Sequence, residues 1–98
     1  MNVHILDPAK EELKEAVAHY DRQRDGLGDH FADEVAGAIQ RIAASPGAGS
    51  PLALNVRRSR VNRFPYGVVY TVRGDELVIL AVMHLRRKPG YWQGRLDG

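Results

Sequence analysis

The most constraining feature of this 98-residue sequence is an unbroken apolar run, LVILAVM, at residues 77–83. The run is far shorter than the ~20 residues of a membrane-spanning helix, and it is rich in β-branched side chains, so it predicts a buried strand. The next segment, HLRRKPGYW at 84–92, combines a histidine, basic residues, a Pro-Gly turn and two aromatic rings. The sequence therefore places positive charge and aromatic side chains at the end of a rigid strand.

Two apolar stripes at helical spacing precede this strand. Asp7-Pro8 can begin the first helix, because proline is tolerated in the first turn, and Ser45-Pro46 ends the second. We predict helices over residues 8–24 and 29–44, joined by the short DGLGD link into an antiparallel hairpin. The side chains expected to pack this hairpin onto a sheet are Leu13, Val17, Phe31, Val35, Ile39 and Ile42.

The remaining segments predict the strands of that sheet. NVHIL lies before the first helix, whereas VRRSRVNRF, PYGVVYTV and ELVILAVMHL follow the second, after a Gly/Pro-rich loop, SPGAGSPLALN. Residues 73–76 contain a glycine and predict a tight hairpin turn. The predicted order is β-α-α-β-β-β. This is an α+β fold, a single domain over residues 1–98, with the helical hairpin on one face of an antiparallel sheet.

Composition excludes several classes of site. There is no cysteine, so disulfides and thiolate metal sites are excluded, and a reducing compartment is favoured. The four histidines lack metal-ligand spacing, and neither a G-x-G-x-x-G motif nor a P-loop occurs. The N-terminus has no basic flank followed by a long apolar stretch, so no signal peptide is expected. We therefore predict a cytoplasmic protein without cofactor, metal site or membrane association.

Charge is divided unevenly along the chain. Residues 1–55 carry five Lys/Arg and nine Asp/Glu, a net charge of −4, whereas residues 56–98 carry nine and three, a net charge of +6. Eight of the nine basic residues in the second part are arginines, which favour planar contacts with phosphate or carboxylate and stack on rings. This pattern predicts an anionic partner, although a solvated basic face would give the same composition.

The arginines concentrate in one predicted strand and in the segment after the apolar run. In a strand, Arg58, Arg60 and Asn62 would share one face, and Arg57, Ser59, Val61 and Arg63 the other. With Arg86, Arg87 and Lys88 they would form a basic patch of about seven charges, suited to phosphate groups or to an acidic protein segment. His84 could act there as an acid or base or be structural, and Trp92 could be a buried anchor or a contact residue.

Several segments resemble the RelE/ParE superfamily of bacterial type II toxins. They are PAKEELKEAVAHYDRQRDGLG, LGDHFADEVAGAIQRIAASP, FPYGVVYTV and ILAVMHLRRKPGYW, which together span nearly the whole chain. The resemblance implies the same β-α-α-β-β-β fold. It also implies a toxin neutralised by a cognate antitoxin, whose acidic segment wraps it in a hetero-oligomer.

Two activities divide this superfamily. RelE-like members cut mRNA on the ribosome without a metal, whereas ParE-like members inhibit DNA gyrase. Gly67 after Tyr66, the lack of lysine in residues 56–63 and the tail beyond Tyr91 favour the ParE-like branch. The residues expected to bind the target or the antitoxin are Arg57, Arg58, Arg60, Arg63, Arg86, Arg87, Tyr91 and Trp92.

An enzymatic alternative stays open from the same residues. His84, Arg86 and Tyr91 could form an RNA-cleaving site, since arginine can hold a phosphate and histidine or tyrosine can move a proton. A third possibility is a toxin-like domain without activity that acts only in its antitoxin complex.

Overall fold

A computed structural model describes residues 1–97. The helices are α1 (Asp7–Gln23) and α2 (Leu27–Ala44), within two residues of the predicted bounds. The strands are β1 (Asn2–Ile5), β2 (Ser50–Ala53), β3 (Val56–Arg60), β4 (Tyr66–Arg73) and β5 (Glu76–His84). Short 3₁₀ turns cover Pro46–Ala48 and Gln93–Asp97. The predicted α+β class and the hairpin between β4 and β5 are confirmed.

The helical hairpin turns at a short link between α1 and α2. Gly26 in this link has a φ of 86°, a left-handed conformation that glycine adopts without steric cost. The two helices then pack against each other and onto one face of the sheet. No helix within residues 1–97 has both the length and the apolar character needed to cross a membrane.

The sheet has the order β1-β5-β4-β3-β2 and is mixed rather than wholly antiparallel. Strands β3, β4 and β5 form the expected antiparallel meander, but β1 pairs in parallel with β5, from Asn2 opposite Glu76 to Ile5 opposite Ile79. The prediction of a purely antiparallel sheet was wrong in this strand. The two helices and three strands between β1 and β5 give the chain ample length for a parallel crossover.

Two further differences concern β2 and β3. Residues 50–53, expected to lie in a loop, pair with β3 as an exposed edge strand, a place where Pro51 is tolerated. Strand β3 ends at Arg60, earlier than predicted, and Asn62 and Arg63 lie in the connection to β4. Arg63 has a φ of 71°, which is incompatible with an extended strand.

Both faces of the sheet are buried. The helix face packs on Phe31, Val35 and Ile42, with Leu13, Val17 and Ile39 partly buried against them, as predicted. The opposite face carries a second core in which Trp92 and Leu96 from the C-terminal residues cover β-strand side chains. The β5 side chains divide between the two cores, which explains why the run at 77–83 is continuously apolar.

A β-bulge interrupts β5 near its middle. Tyr70 pairs with Ile79 and Val69 pairs with Ala81, so Leu80 is an extra residue opposite β4. Pairing with β1 also ends at Ile79, and the last backbone bond of that edge runs from the Leu6 N–H to the Ile79 carbonyl. Beyond this point, side chains from α1 and from the C-terminal residues bond the β5 backbone.

Candidate recognition site at the end of β5

A single carboxylate organises the C-terminal end of β5. Glu12 lies on α1, and its side chain is only 11% exposed. It accepts hydrogen bonds from the Val82 N–H at 3.1 Å, the Tyr91 hydroxyl at 2.5 Å and Arg87 Nη1 at 3.3 Å. Arg95 donates to both of its oxygens, at 2.8 and 3.2 Å. Glu12 thereby joins α1, β5 and the residues that follow β5.

Arg95 completes this arrangement. Its Nη1 also donates to the Leu80 carbonyl at 3.0 Å, so the guanidinium bonds both Glu12 and the bulge. The hydrogen bonds to Glu12 raise the pKa of Arg95. A planar guanidinium suits this two-oxygen contact, because its N–H groups match the geometry of a carboxylate.

Tyr91 is held on two sides. The Arg87 guanidinium carbon lies 3.8 Å from the centre of the Tyr91 ring, a cation–π contact, while the hydroxyl donates to Glu12. Burial and this hydrogen bond raise the pKa of Tyr91 well above its usual value. The hydroxyl therefore stays protonated at neutral pH, with its proton directed at Glu12.

His84 occupies a different position. Its ring packs edge-on against Tyr66, with centroids 5.1 Å apart, and its Nδ1 accepts the Arg86 N–H at 3.1 Å. Burial and the neighbouring Glu12 raise the pKa of Tyr66. An open pocket of about 300 Å³ lies here, between α1 and the sheet. Its lining includes Glu12, Glu15, His19, Tyr66, His84 and Arg87.

The three residues of the enzymatic alternative have different surroundings. His84 lines the pocket beside Tyr66, the Arg86 residue is exposed to solvent, and the Tyr91 hydroxyl is bonded to Glu12. Arg87, rather than Arg86, shares the pocket with His84.

On the face opposite the helices, Arg58 and Arg87 line a second groove of about 260 Å³. The stem of Arg58 lies directly over Gly67, where a Cβ atom would stand 2.7 Å from Arg58 Cδ. Gly67 is therefore required for Arg58 to lie flat on the sheet. The groove walls include the apolar residues Leu52, Met83, Leu85, Pro89 and Trp92.

Arg58 also carries an unusual polar atom. Its Nε is buried and has no hydrogen-bond partner among residues 1–97. A buried donor without an acceptor costs free energy, so Arg58 carries a polar group that the described residues leave unsatisfied. An arginine between apolar walls suits a carboxylate that is flanked by an apolar side chain, whereas the Arg87 guanidinium is already bonded to Glu12.

The other predicted arginines do not join this groove. Arg57 donates from Nη1 to the Gly49 carbonyl at 2.7 Å, and Arg63 lies 3.6 Å from the Glu34 carboxylate, on α2. Arg60 is exposed at the end of β3. The expected patch of about seven charges is thus divided, because alternate β3 residues face opposite sides and the strand ends before Arg63.

Trp92 is 2% exposed and packs in the second core. Its side chain anchors the chain after β5 to the sheet, and part of it forms a wall of the groove beside Arg58. Of the two roles considered for it, the structure has the buried anchor.

Sequence reasoning missed Glu12 and Arg95. On α1, Glu12 lies three positions after Ala9 and four before Ala16, which are both buried, so a carboxylate within the apolar stripe was the available signal. Arg95 lies beyond the segment HLRRKPGYW. Glu12 and Arg95 are 83 positions apart, so no local spacing relates them.

Comparisons with known proteins agree with this architecture. No curated protein matches the sequence. Among solved structures, a chain from the chromosomal ParDE TA system of P. aeruginosa superposes with a TM-score of 0.75 at 20% identity. The match covers 86% of this chain and 95% of that one, and at this identity it shows a shared fold.

The family comparison is more specific. The model of the "ParE toxin of type II toxin-antitoxin system, parDE" matches residues 3–89, from β1 to the turn after β5. The match confirms the resemblance seen in the sequence and its placement in the ParE-like branch. Because it spans most of the 98 residues, this chain belongs to the ParE toxin family of type II toxin-antitoxin systems.

Proposed function

We propose that this toxin acts in the cytoplasm by binding and inhibiting DNA gyrase, and that a cognate antitoxin neutralises it. Family membership supports the toxin assignment. The resemblance to the ParE-like branch implies gyrase as the target. The observation that carries the choice of mechanism is the bond between the Tyr91 hydroxyl and Glu12. It favours a binding surface over an acid–base site.

The Tyr91 bond bears on catalysis because a general acid or base must exchange a proton with its substrate. The Tyr91 proton is directed at Glu12, and its raised pKa opposes ionisation at neutral pH. Arg86 and Arg87 are exposed beside this ordered ring. Arginine and large aromatic residues are the types most enriched in binding hot spots, so the geometry favours recognition.

Two substitutions separate recognition from catalysis. We expect Arg86→Ala to weaken gyrase inhibition about tenfold, a loss of ~1.4 kcal/mol typical of an interface arginine. His84→Gln should retain most of the inhibition, because loss of a catalytic acid or base would cost ~100- to 10,000-fold. The measurements are growth after induction and DNA supercoiling by purified gyrase. Arg22→Ala, an exposed change on α1, is the control.

The same assays identify the alternatives. Loss of toxicity in folded His84→Gln, together with mRNA cleavage on purified ribosomes by the unchanged protein, would replace the gyrase proposal with an endonuclease. A folded protein that affects neither supercoiling nor mRNA, yet binds its antitoxin, would be the inactive toxin-like domain.

The groove between Arg58 and Arg87 supports the antitoxin part of the proposal. Arg58 and the apolar walls of this groove complement a segment in which acidic and apolar residues alternate. The net charge of +6 over residues 56–98 would also accelerate encounter with an acidic partner.

We expect Arg58→Gln to weaken antitoxin binding by at least about tenfold, since removing one partner of a buried charge pair costs ~2–5 kcal/mol. Arg22→Gln, which removes the same charge from α1, should change affinity little. Titration calorimetry with the purified antitoxin measures both. Association should also slow as salt rises, because screening weakens electrostatic steering. Equal affinities for the two variants would exclude this groove as the antitoxin site.

A further inference from the structure

We infer that Glu12 is a positioning residue that locks the C-terminal tail, residues 85–97, onto the sheet. The inference rests on the proposed function in one respect: the tail contains four of the eight residues expected to bind the target or the antitoxin. The lock itself is a property of the isolated chain. It consists of Glu12 and its partners Val82, Arg87, Tyr91 and Arg95.

The lock replaces missing strand pairing. The pairing of β5 with β1 ends at Ile79. After that residue, the Leu80 carbonyl accepts a hydrogen bond from Arg95, and the Val82 N–H donates to Glu12. Buried backbone groups need partners, and here two oppositely charged side chains supply them. Tail attachment and β5 edge bonding therefore depend on the same ion pair.

The tail has few other polar attachments. Trp92 and Leu96 pack on the second core, and Arg73 donates to the Leu96 carbonyl. The residues between Leu85 and Gly90 are exposed. Tyr91 and Arg95 also lie outside the range 3–89 that matches the family, so the lock joins a residue inside that range to residues beyond it.

Removal of the Glu12 charge would leave an unbalanced site. The guanidinium groups of Arg87 and Arg95 would face each other near the Tyr91 ring without their shared carboxylate. Helix α1 would keep its packing, because Ala9, Ala16 and Tyr20 are buried in the helix-face core. The cost therefore falls on the tail, and we expect a local opening rather than global unfolding.

Such an opening would misplace the recognition residues without removing them. Arg86 and Arg87 would remain in the chain, but the ordered contact between Arg87 and Tyr91 would be lost. Growth inhibition should then fall in Glu12→Gln, although the Glu12 side chain is largely buried.

The chain contains one tryptophan, Trp92, and it lies within the tail, so its fluorescence reports tail opening directly. In folded Glu12→Gln, we expect Trp92 emission to shift to longer wavelength and acrylamide quenching to increase. Hydrogen exchange at the Val82 amide should accelerate about tenfold or more, as for loss of a charge-assisted hydrogen bond. Exchange in α2 and the far-UV circular dichroism should not change. Glu11→Gln, an exposed neighbour on α1, is the matched control.

Arg95→Gln and Tyr91→Phe extend the test if Glu12→Gln proves unstable. Both should open the tail, and a double-mutant cycle of Glu12→Gln with Arg95→Gln should show coupling, since the residues are bonded. Unchanged Trp92 emission and Val82 exchange in folded Arg95→Gln would overturn the inference. Faster hydrogen exchange in α2 together with opening of the tail would also overturn the inference. The Glu12 contacts would then stabilise the whole fold and not the tail specifically.

These spectroscopic measurements use the purified chain without gyrase or antitoxin. If the protein does not inhibit gyrase, the inference about the Glu12 lock is unaffected. If Trp92 emission does not change in the variants, the proposal that gyrase is the target is unaffected. Retained growth inhibition in a variant whose tail is open would show that the locked tail is not needed for target binding.

Discussion

At the scale of single residues, three tyrosines have raised pKa values for related reasons. Burial is the main cause in Tyr20, Tyr66 and Tyr91, and a neighbouring tyrosine or Glu12 adds to it. Each phenol keeps its proton in the folded chain at a pH where the unfolded chain, with an ordinary pKa near 10, begins to lose it. Stability that comes from these groups is therefore fully present below about pH 10.

Alkaline pH should reveal this linkage. As pH rises above about 10, the unfolded state releases protons that the folded state retains, so the free energy of unfolding falls. We expect urea denaturation midpoints to decrease from pH 9 to pH 11. In Tyr91→Phe the decrease should be shallower, because the group with the largest shift no longer titrates. A slope identical to that of the unchanged protein would show that Tyr91 contributes no linkage.

At the scale of elements, an aromatic cluster joins α1, α2 and the start of β4. The Phe31 ring lies 5.2 Å from Tyr20, 5.1 Å from Phe64 and 4.8 Å from Tyr66, measured between centroids. Phe31 is fully buried. Tilted and edge-on pairs of this kind add to the hydrophobic contribution of the rings. The cluster therefore holds the helical hairpin against the sheet near the pocket beside His84.

We expect Phe31→Ala to destabilise the chain by about 3–5 kcal/mol, because it removes a buried ring and leaves a cavity. Gln40→Ala, on the exposed side of α2, should change stability by less than about 0.5 kcal/mol. Chemical denaturation of both variants measures the difference. A loss below about 1 kcal/mol in Phe31→Ala would mean that the surrounding rings collapse into the space.

At the scale of the whole molecule, this small chain carries its net positive charge in residues 56–98. A domain of this size has a total stability of about 5–15 kcal/mol. A partner that binds only the folded state adds about 4 kcal/mol at a thousandfold excess over its dissociation constant. Saturating antitoxin should therefore raise the melting temperature markedly, at about 4–8 °C per kcal/mol. Equal melting temperatures with and without antitoxin would contradict binding to the folded toxin.

Much of the fold follows from local patterns. The apolar stripes that include Leu13 and Phe31 predicted the bounds of both helices to within two residues. This is possible because side chains three and four positions apart lie on the same face of a helix. The glycine turn at 73–76 and the buried β5 were likewise predicted, since turn chemistry and strand composition are also local. The concentration of arginine and aromatic residues after β5 pointed to the end of the sheet where Tyr91 and Arg95 bond Glu12.

Tertiary structure alone decided which distant groups meet. The parallel pairing of β1, the edge strand at Ser50–Ala53 and the presence of Arg58 and Arg87 in one groove depend on how the layers pack. The contact between Glu12 and Arg95 spans 83 positions and forms because β1 ends before β5 does, leaving backbone groups that need partners. The local sequence determines where each helix and strand forms, because the spacing of apolar side chains differs between them. Which side chains bond an unpaired backbone group or a buried charge is determined only when the helices and strands pack together.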